Sequence, residues 1–529
     1  MSASEINELD LHWTDEDPSF GITSDGVFCK DMDEIVRRIT EVKDSVKIIN
    51  LHNQSALKEI PPVLGECGLL EELHISHTEI TEIPDFLFAL PNLRVLSCCC
   101  RKLTHPPTGI AKAQKMEKLH IRVNEGWEYP DGITALKELK SFSADLYSGA
   151  ALPKEMGALK NIEELTLTVK FEEGTVHGLP ASFSKHPALK RLSIGDHIFK
   201  NHKTLDLDKT TQILATCPVF ESLKLFGLTV GKGHQKLSTL TSLKELELRH
   251  LIVEGNLFKS ITAMKNLEKL DVWGSELKLT ELPDIFKDLT GLQTFSFAGN
   301  FVRALPPSIY SLAKLTTLEI GSTGIAALDE KIGSLQNLEK LHVFDNMLET
   351  LPNAVFSLPR LSVLNIEENI FNQREISAIK EKLDALNSKG QKVELMVEGQ
   401  GRRQMVKRLR ALNDSDPKTL NHQLYLRVCV EAAKTSEIGS IFKYIKDELL
   451  TDYEYIYVCL EAALHNVSAD FLDMINMKRL SRNDYEHICW AAILHYPPVI
   501  SKMVDPTEEL RNFAADVVAE HRAKQKKAV

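Results

Sequence analysis

Between Leu315 and Phe371 one pattern occurs three times at a fixed step. LTTLEI, LEKLHV and LSVLNI each carry apolar residues at their first, fourth and sixth positions: Leu315, Leu318 and Ile320; Leu338, Leu341 and Val343; Leu361, Leu364 and Ile366. The starts are 23 residues apart both times, from 315 to 338 and from 338 to 361. A constant period of about 20–50 residues is the mark of a stacked repeat architecture. A unit this short cannot bury its own apolar edge, so it must lie against a copy of itself. The alternation inside each hexapeptide predicts a short strand whose apolar residues face the core and whose intervening residues face outward.

Followed toward the N-terminus, the first apolar anchors are Val46, Leu70, Leu93, Met116, Leu139, Ile162, Leu189, Phe220, Leu243, Leu267 and Leu292. With the three above they make fourteen expected strands, within a solenoid assigned to residues 46–371. The step is 23 from Leu70 to Ile162, then 27 to Leu189 and 31 to Phe220. The extra residues fall in FEEGTVHGLP and in His197–Thr216. They are expected to form loops on one face and to offer contact elements. Residues 1–45 read as an N-terminal cap, with a helix over Asp31–Asp44 placing Ile35, Ile39 and Val42 on one side.

A second signature lies between the strands, an apolar residue followed by proline: Ile60-Pro61, Ile83-Pro84, Leu152-Pro153, Leu179-Pro180, Leu282-Pro283, Leu305-Pro306 and Leu351-Pro352. Proline has a fixed φ and no N–H, which suits the start of a short helical turn. Together the two signatures resemble the short, 23-residue class of leucine-rich repeats, found in bacterial proteins and in intracellular Ras-associated proteins. The resemblance covers about residues 46–371. It implies an α/β solenoid with a parallel β-sheet on its concave face. The asparagine common after the third anchor stands at Asn124, Asn300, Asn346 and Asn369, while Thr78, Arg101 and Thr323 take that slot elsewhere.

Past Phe371 the pattern stops. Residues 372–398 read as a C-terminal cap, a helix ending near Gly390 followed by the strand Gln391–Val397. Residues 399–415 are a basic linker with Arg402, Arg403, Lys407, Arg408 and Arg410. Residues 416–510 hold another repeat: Tyr425, Tyr455 and Tyr485 are 30 apart, as are Cys429, Cys459 and Cys489. This is expected to be a small all-α array of helical hairpins, and it resembles a bacterial repeat domain of unknown function. Residues 511–529 form a basic tail.

Lys and Arg number 63 against 74 Asp and Glu, a formal charge of −11. That balance argues against general nucleic-acid binding. No apolar run spans a bilayer, and the acidic N-terminus carries no apolar leader segment, so a cytoplasmic protein is expected. Nine cysteines, three of them consecutive at Cys98–Cys100, do not form a disulfide framework. On a strand Cys98 faces the core and Cys99 the other side. His74 and His120 read as ordinary surface residues.

No phosphate-binding glycine loop, metalloprotease helix, serine-nucleophile elbow or kinase motif is present. No cofactor is expected. Cys429, Cys459 and Cys489 leave one catalytic alternative, an effector-type enzyme such as a cysteine-dependent ubiquitin ligase. Against it, a nucleophile is unique and these three are structural equivalents. The sequence instead favours a non-enzymatic scaffold that binds a protein partner on the concave face. In the outward columns, small polar residues give way to Phe226, Arg249 and Trp273 on successive units, flanked by Lys224, Glu247 and Asp271. Exposed aromatics beside arginine are the composition of an interface hot spot. Phe344 joins them as a further candidate contact.

Overall fold

The computed structural model describes residues 8–10, 31–105, 107–122, 129–146, 151–170, 174–176, 178–196, 203–253, 257–274, 282–300, 302 and 304–398. Further on it describes residues 425, 429, 445–446, 449–451, 454–455, 458–459, 462–463, 479–480 and 488–489. The chain divides into two compact units, Met1–Leu277 with Asp288–Thr294, and Lys278–Lys287 with Phe295–Val529.

A strand stands in each of the fourteen hexapeptide units. In the first unit the strands run Ile48–Asn50, Glu72–His74, Val95–Cys98, Lys118–Arg122, Ser141–Leu146, Glu164–Val169, Arg191–Gly195, Ser222–Phe226, Glu245–Arg249 and Lys269–Trp273. All pair in parallel, each with the next. Glu8–Asp10 adds one more strand beside Ile48–Asn50. In the second unit, Thr317–Glu319, Lys340–His342, Val363–Asn365 and Glu394–Met396 pair in the same sense. The strand Thr294–Ser296 falls at the division. The result is a leucine-rich-repeat solenoid fold with a long parallel sheet.

The anchors account for the stacking. Leu223, Leu225, Leu246, Leu248, Leu270 and Val272 are at most 1% exposed, as are Leu318, Ile320, Leu341, Val343, Leu364 and Ile366. Each such side chain contributes roughly 1.5–3 kcal/mol by leaving water. Between strands the chain turns through short 3-10 helices such as Pro62–Glu66, Asp85–Ala89, Pro307–Ser311 and Asn353–Ser357. Five prolines of the second signature, Pro61, Pro84, Pro180, Pro306 and Pro352, stand just before such a turn in extended backbone. Their carbonyls accept the first helical bonds, as in Leu64 N to Pro61 O and Ile309 N to Pro306 O. Pro130 does the same, accepting from Ile133 N, and Pro107 stands just before the turn Thr108–Lys112.

Among their described residues, the long steps hold regular structure where loops were expected. Their described residues supply strands Thr175–Val176 and Lys203–Leu205 and the helix Leu207–Leu214. With Leu228–Val230 and Ile252–Val253 those strands form a second, four-stranded parallel sheet. Asp196, just past the strand Arg191–Gly195, forms a buried ion pair with Lys203 of the insertion. The expectation of loops fails because two- and three-residue strands carry no visible period.

One side-chain ladder escaped the sequence reading. The residue after each first anchor alternates in sign: Lys47, Glu71, Arg94, Glu117, Lys140, Glu163, Lys190, Glu221, Lys244 and Glu268. Each N–H donates to the preceding member's carbonyl at 2.7–2.9 Å. Lys190 lies 2.8 Å from Glu163, Arg94 2.9 Å from Glu71 and Lys140 3.0 Å from Glu117. Opposite charges facing one another across strands support the pairing, where like charges would oppose it.

The helix Met32–Val42 is capped by Asp31, whose carboxylate accepts from Glu34 N at 2.9 Å, and it buries Ile35, Ile39 and Val42. The helix Gln373–Asn387 is capped by Asn372 and buries Ile376, Ile379 and Leu383. It ends before Gly390, whose φ of +93° glycine adopts without steric cost. The basic linker, the basic tail and most of the expected helical array lie outside the described residues.

Candidate functional site

Period-two alternation sets the outward face of the first unit. Along Ser222–Phe226, Leu223 and Leu225 point in, and Lys224 and Phe226 remain half-exposed. Register then aligns the candidates in two rows. Phe226 pairs with Arg249 and Arg249 with Trp273, while Lys224 pairs with Glu247 and Glu247 with Asp271. Six of the seven sequence candidates therefore lie together on three neighbouring strands.

The rows are tied by ions. Arg249 Nη2 donates to Asp271 Oδ2 at 2.5 Å, and the guanidinium carbon lies 5.8 Å from the Trp273 ring centroid. Glu247 Oε1 is shared by Lys224 Nζ at 3.1 Å and Lys269 Nζ at 2.5 Å. Burial pushes the Glu247 carboxyl up. Hydrogen bonds from Lys269 and Lys224, with their charges, outweigh that and hold it below the usual glutamate range. Asp271 Oδ1 is buried without a hydrogen-bond partner.

Phe226 keeps its place because the neighbouring position on the previous strand is Gly195. A Cβ there would fall 2.1 Å from Phe226 O and 2.5 Å from its ring. On the other side the His250 ring covers Gly274, at φ +55°. Ser193, Lys224, Leu225, Phe226, Glu247, Arg249, His250 and Trp273 line a groove of about 450 Å³. Ser193, His250 and Lys269 were missed from the sequence. Lys269 is two residues before Asp271 on the same strand, so carrying the alternation back one step finds it.

Phe344 belongs to the second unit. Its ring lies over Gly321, where a Cβ would meet Cζ at 2.3 Å. The Gly195–Phe226 arrangement is thus repeated on another strand pair.

A second cluster surrounds His120. Its Nε2 lies 3.0 Å from Cys99 Sγ and its Nδ1 3.4 Å from Ser97 Oγ. Ser76 Oγ stands 3.1 Å from Ser97 Oγ and accepts from Cys99 N at 3.0 Å. Burial lowers the pKa of His120. The ring is therefore part of a hydrogen-bonded group rather than a free surface residue.

Asn346 and Asn369 fill the slots the sequence gives them, and one other slot is filled differently. Asn346 Oδ1 accepts from Thr323 N, Thr323 Oγ1, Gly324 N and Ile325 N, and Nδ2 donates to Ile320 O, Val343 O and Phe344 O. Asn369 uses Nδ2 on Val343 O, Ile366 O and Glu367 O. In the third unit it is Cys100, not Arg101, that turns inward. Its thiol donates to Ile75 O at 3.1 Å and touches Thr78 Oγ1 at 3.3 Å, whereas Arg101 is exposed. A long cation has no place in a buried ladder, so the neighbouring small thiol fills it.

Cys429, Cys459 and Cys489 are fully buried. Burial raises the Cys429 thiol and pushes Cys459 up to about 12, against the thiolate that nucleophilic catalysis needs. Among the described residues no group of three acidic, histidine or cysteine side chains is arranged to hold a metal ion. Among them, no helix is long and apolar enough to cross a membrane.

No sequence-family description matches the chain, and no curated protein matches it. Similar solved structures include a leucine-rich-repeat protein of Leptospira interrogans, 24% identical over 71% of this chain and 100% of that one, with a TM-score of 0.43. An internalin of Listeria monocytogenes is 15% identical over 74% of this chain and 87% of that one, with a TM-score of 0.35. A TDR receptor is 22% identical over 64% of this chain and 57% of that one, with a TM-score of 0.44.

Proposed function

We propose that the chain is a non-enzymatic interaction protein, and that it binds a protein partner on the concave sheet face through the groove of Lys224, Phe226, Glu247, Arg249, Asp271 and Trp273. One observation carries the reading. Two aromatic side chains bracket an arginine at the same register on three consecutive strands, and the ion pair of that arginine with Asp271 holds it beside the Trp273 ring. Large, preordered aromatic and arginine side chains lose little freedom on binding, and such residues dominate interface energetics. Phe344, covering Gly321, is a separate candidate contact on the second unit.

Trp273→Ala tests the groove. Affinity capture with the full chain and with the variant, compared by quantitative mass spectrometry, should show one partner retained by the parent. The variant should bind it about 2 kcal/mol more weakly, roughly thirty-fold. A partner held equally by both proteins removes the groove from the interface. No thioester is expected on Cys429, Cys459 or Cys489 when the chain is incubated with charged ubiquitin-conjugating enzyme.

A further inference from the structure

We infer that the occupant of the groove presents a carboxylate flanked by apolar side chains, an acidic segment of a partner protein. The inference rests on the groove being the binding surface and goes further by assigning the partner's charge. It follows from the depths at which the groove's own charges lie.

The Glu247 and Asp271 side chains are 9% and 5% exposed, while Lys224, Arg249 and Lys269 are 42%, 45% and 35% exposed. Both carboxylates therefore form the floor, and the three cations stand over them. Among the described residues that line the groove, the half-exposed charges are Lys224 and Arg249, both positive, so an approaching molecule meets cations first. A lysine or arginine of a partner would encounter those cations before either carboxylate. To reach Glu247 or Asp271 it would have to displace the ion pairs at 2.5–3.1 Å and leave another cation unpaired. A carboxylate meets no such obstacle.

The surrounding surface sharpens the contrast. The chain as a whole carries −11, so an exposed cationic patch here is not a by-product of general basicity. At physiological salt the screening length is about 8 Å, so an arriving group feels this patch rather than the distant negative charge. Phe226 and Trp273 wall the groove. Their rings exclude water from an ion pair formed between them, strengthening it, and offer contact to apolar residues beside the acid. A nucleic-acid strand fits less well, because two exposed cations neutralise too little of a phosphate backbone.

The test is selection from a random phage-displayed dodecapeptide library on the full-length chain. Recovered peptides, synthesised with a fluorophore, are then titrated against the parent, Trp273→Ala, Arg249→Gln and Lys224→Gln. The expected result is enrichment of Asp or Glu next to apolar residues. Binding should weaken at least tenfold in Trp273→Ala and in one of the two charge variants, and should weaken with added salt. Lys224→Gln keeps the test alive if Arg249→Gln fails to fold, since Lys269 still covers Glu247. Peptides that need Trp273 but carry no acid overturn the charge assignment and leave the groove reading standing. Failure to recover any Trp273-dependent peptide, or displacement of the peptides by a short single-stranded RNA, overturns both.

Discussion

Arg249 reaches across to Asp271 on the adjacent strand at 2.5 Å, with Arg249 half-exposed and Asp271 almost wholly buried. The pair is therefore unequal. Removing the arginine strands a buried carboxylate, one of whose oxygens already has no partner, whereas removing the carboxylate returns a guanidinium to water. Arg249→Ala should cost about 1–3 kcal/mol, below the value for a fully buried pair because the arginine is half-solvated. Asp271→Asn should cost less, and the double variant should recover part of the loss. Denaturant titration of the four proteins checks this, and equal losses for the two single variants would falsify it.

Asn346 joins two turns of the second unit through seven hydrogen bonds while 1% exposed. Asn346→Ala leaves several backbone groups unpaired in the core and should lower stability by about 3 kcal/mol. Cys100→Ala, which removes a single weak donor to Ile75 O, should cost about 1 kcal/mol. Paired thermal melts compare them, and a milder effect at Asn346 than at Cys100 contradicts the ladder.

Three histidines make the fold acid-sensitive. Burial lowers the pKa of His120, His186 and His342 below the ordinary 6.5. At His186 the geometry shows why: Nε2 faces Leu159 O at 3.0 Å while Nδ1 accepts from Leu189 N at 3.1 Å, leaving no room for a second proton. A histidine whose folded pKa is depressed binds more protons unfolded than folded once pH drops below 6.5. Stability therefore falls as pH falls from 6.5 toward the folded values, and it is flat above. The depressed Glu247 pKa adds a further loss below its unfolded value of 4.5. Melting temperatures from pH 8 to pH 5 should decline only in the acid half, and a melting temperature that rises toward pH 5 refutes the assignment.

Cys99 should be the first of the described cysteines to alkylate. At 6% exposed its side chain is the most accessible of them. Burial raises Cys67 to about 11, holds Cys217 above its ordinary value and, with the Cys100 hydrogen bond as the larger cause, raises Cys98. Limited iodoacetamide treatment followed by peptide mapping reads the order. His120→Ala, which removes the ring lying 3.0 Å from its Sγ, should speed Cys99 and leave the rest unchanged.

The apolar frame of this protein is legible in its sequence because burial imposes a period that anyone can count. Val46, Leu70 and Leu93 announce strands for the same reason that Leu315 and Leu338 do. Register made the Phe226, Arg249 and Trp273 row legible as well. What the period does not carry is depth. Glu247 and Lys224 look alike in a list of outward positions, yet one is covered by two lysines and the other stands in solvent. Spacing also cannot distinguish Cys100 from Arg101 as the inward residue, since that depends on which side chain fits a buried turn. The alternating ladder from Lys47 to Glu268 sits one position from the anchors, and its sign alternates at twice the repeat length, so a single repeat does not display it.

The four-stranded second sheet draws Thr175–Val176, Lys203–Leu205, Leu228–Val230 and Ile252–Val253 from successive turns. Three of those turns are the ones that supply the strands ending at Gly195, Phe226 and Arg249. The two enlarged spans of chain thus differ in what the sheet would lose with them. Excising Lys203–Leu205, which pairs on both sides, would open an edge on Thr175–Val176 and on Leu228–Val230, whereas losing the outermost Thr175–Val176 would only pass the existing edge inward to Lys203–Leu205, so the second span is the one the sheet cannot spare.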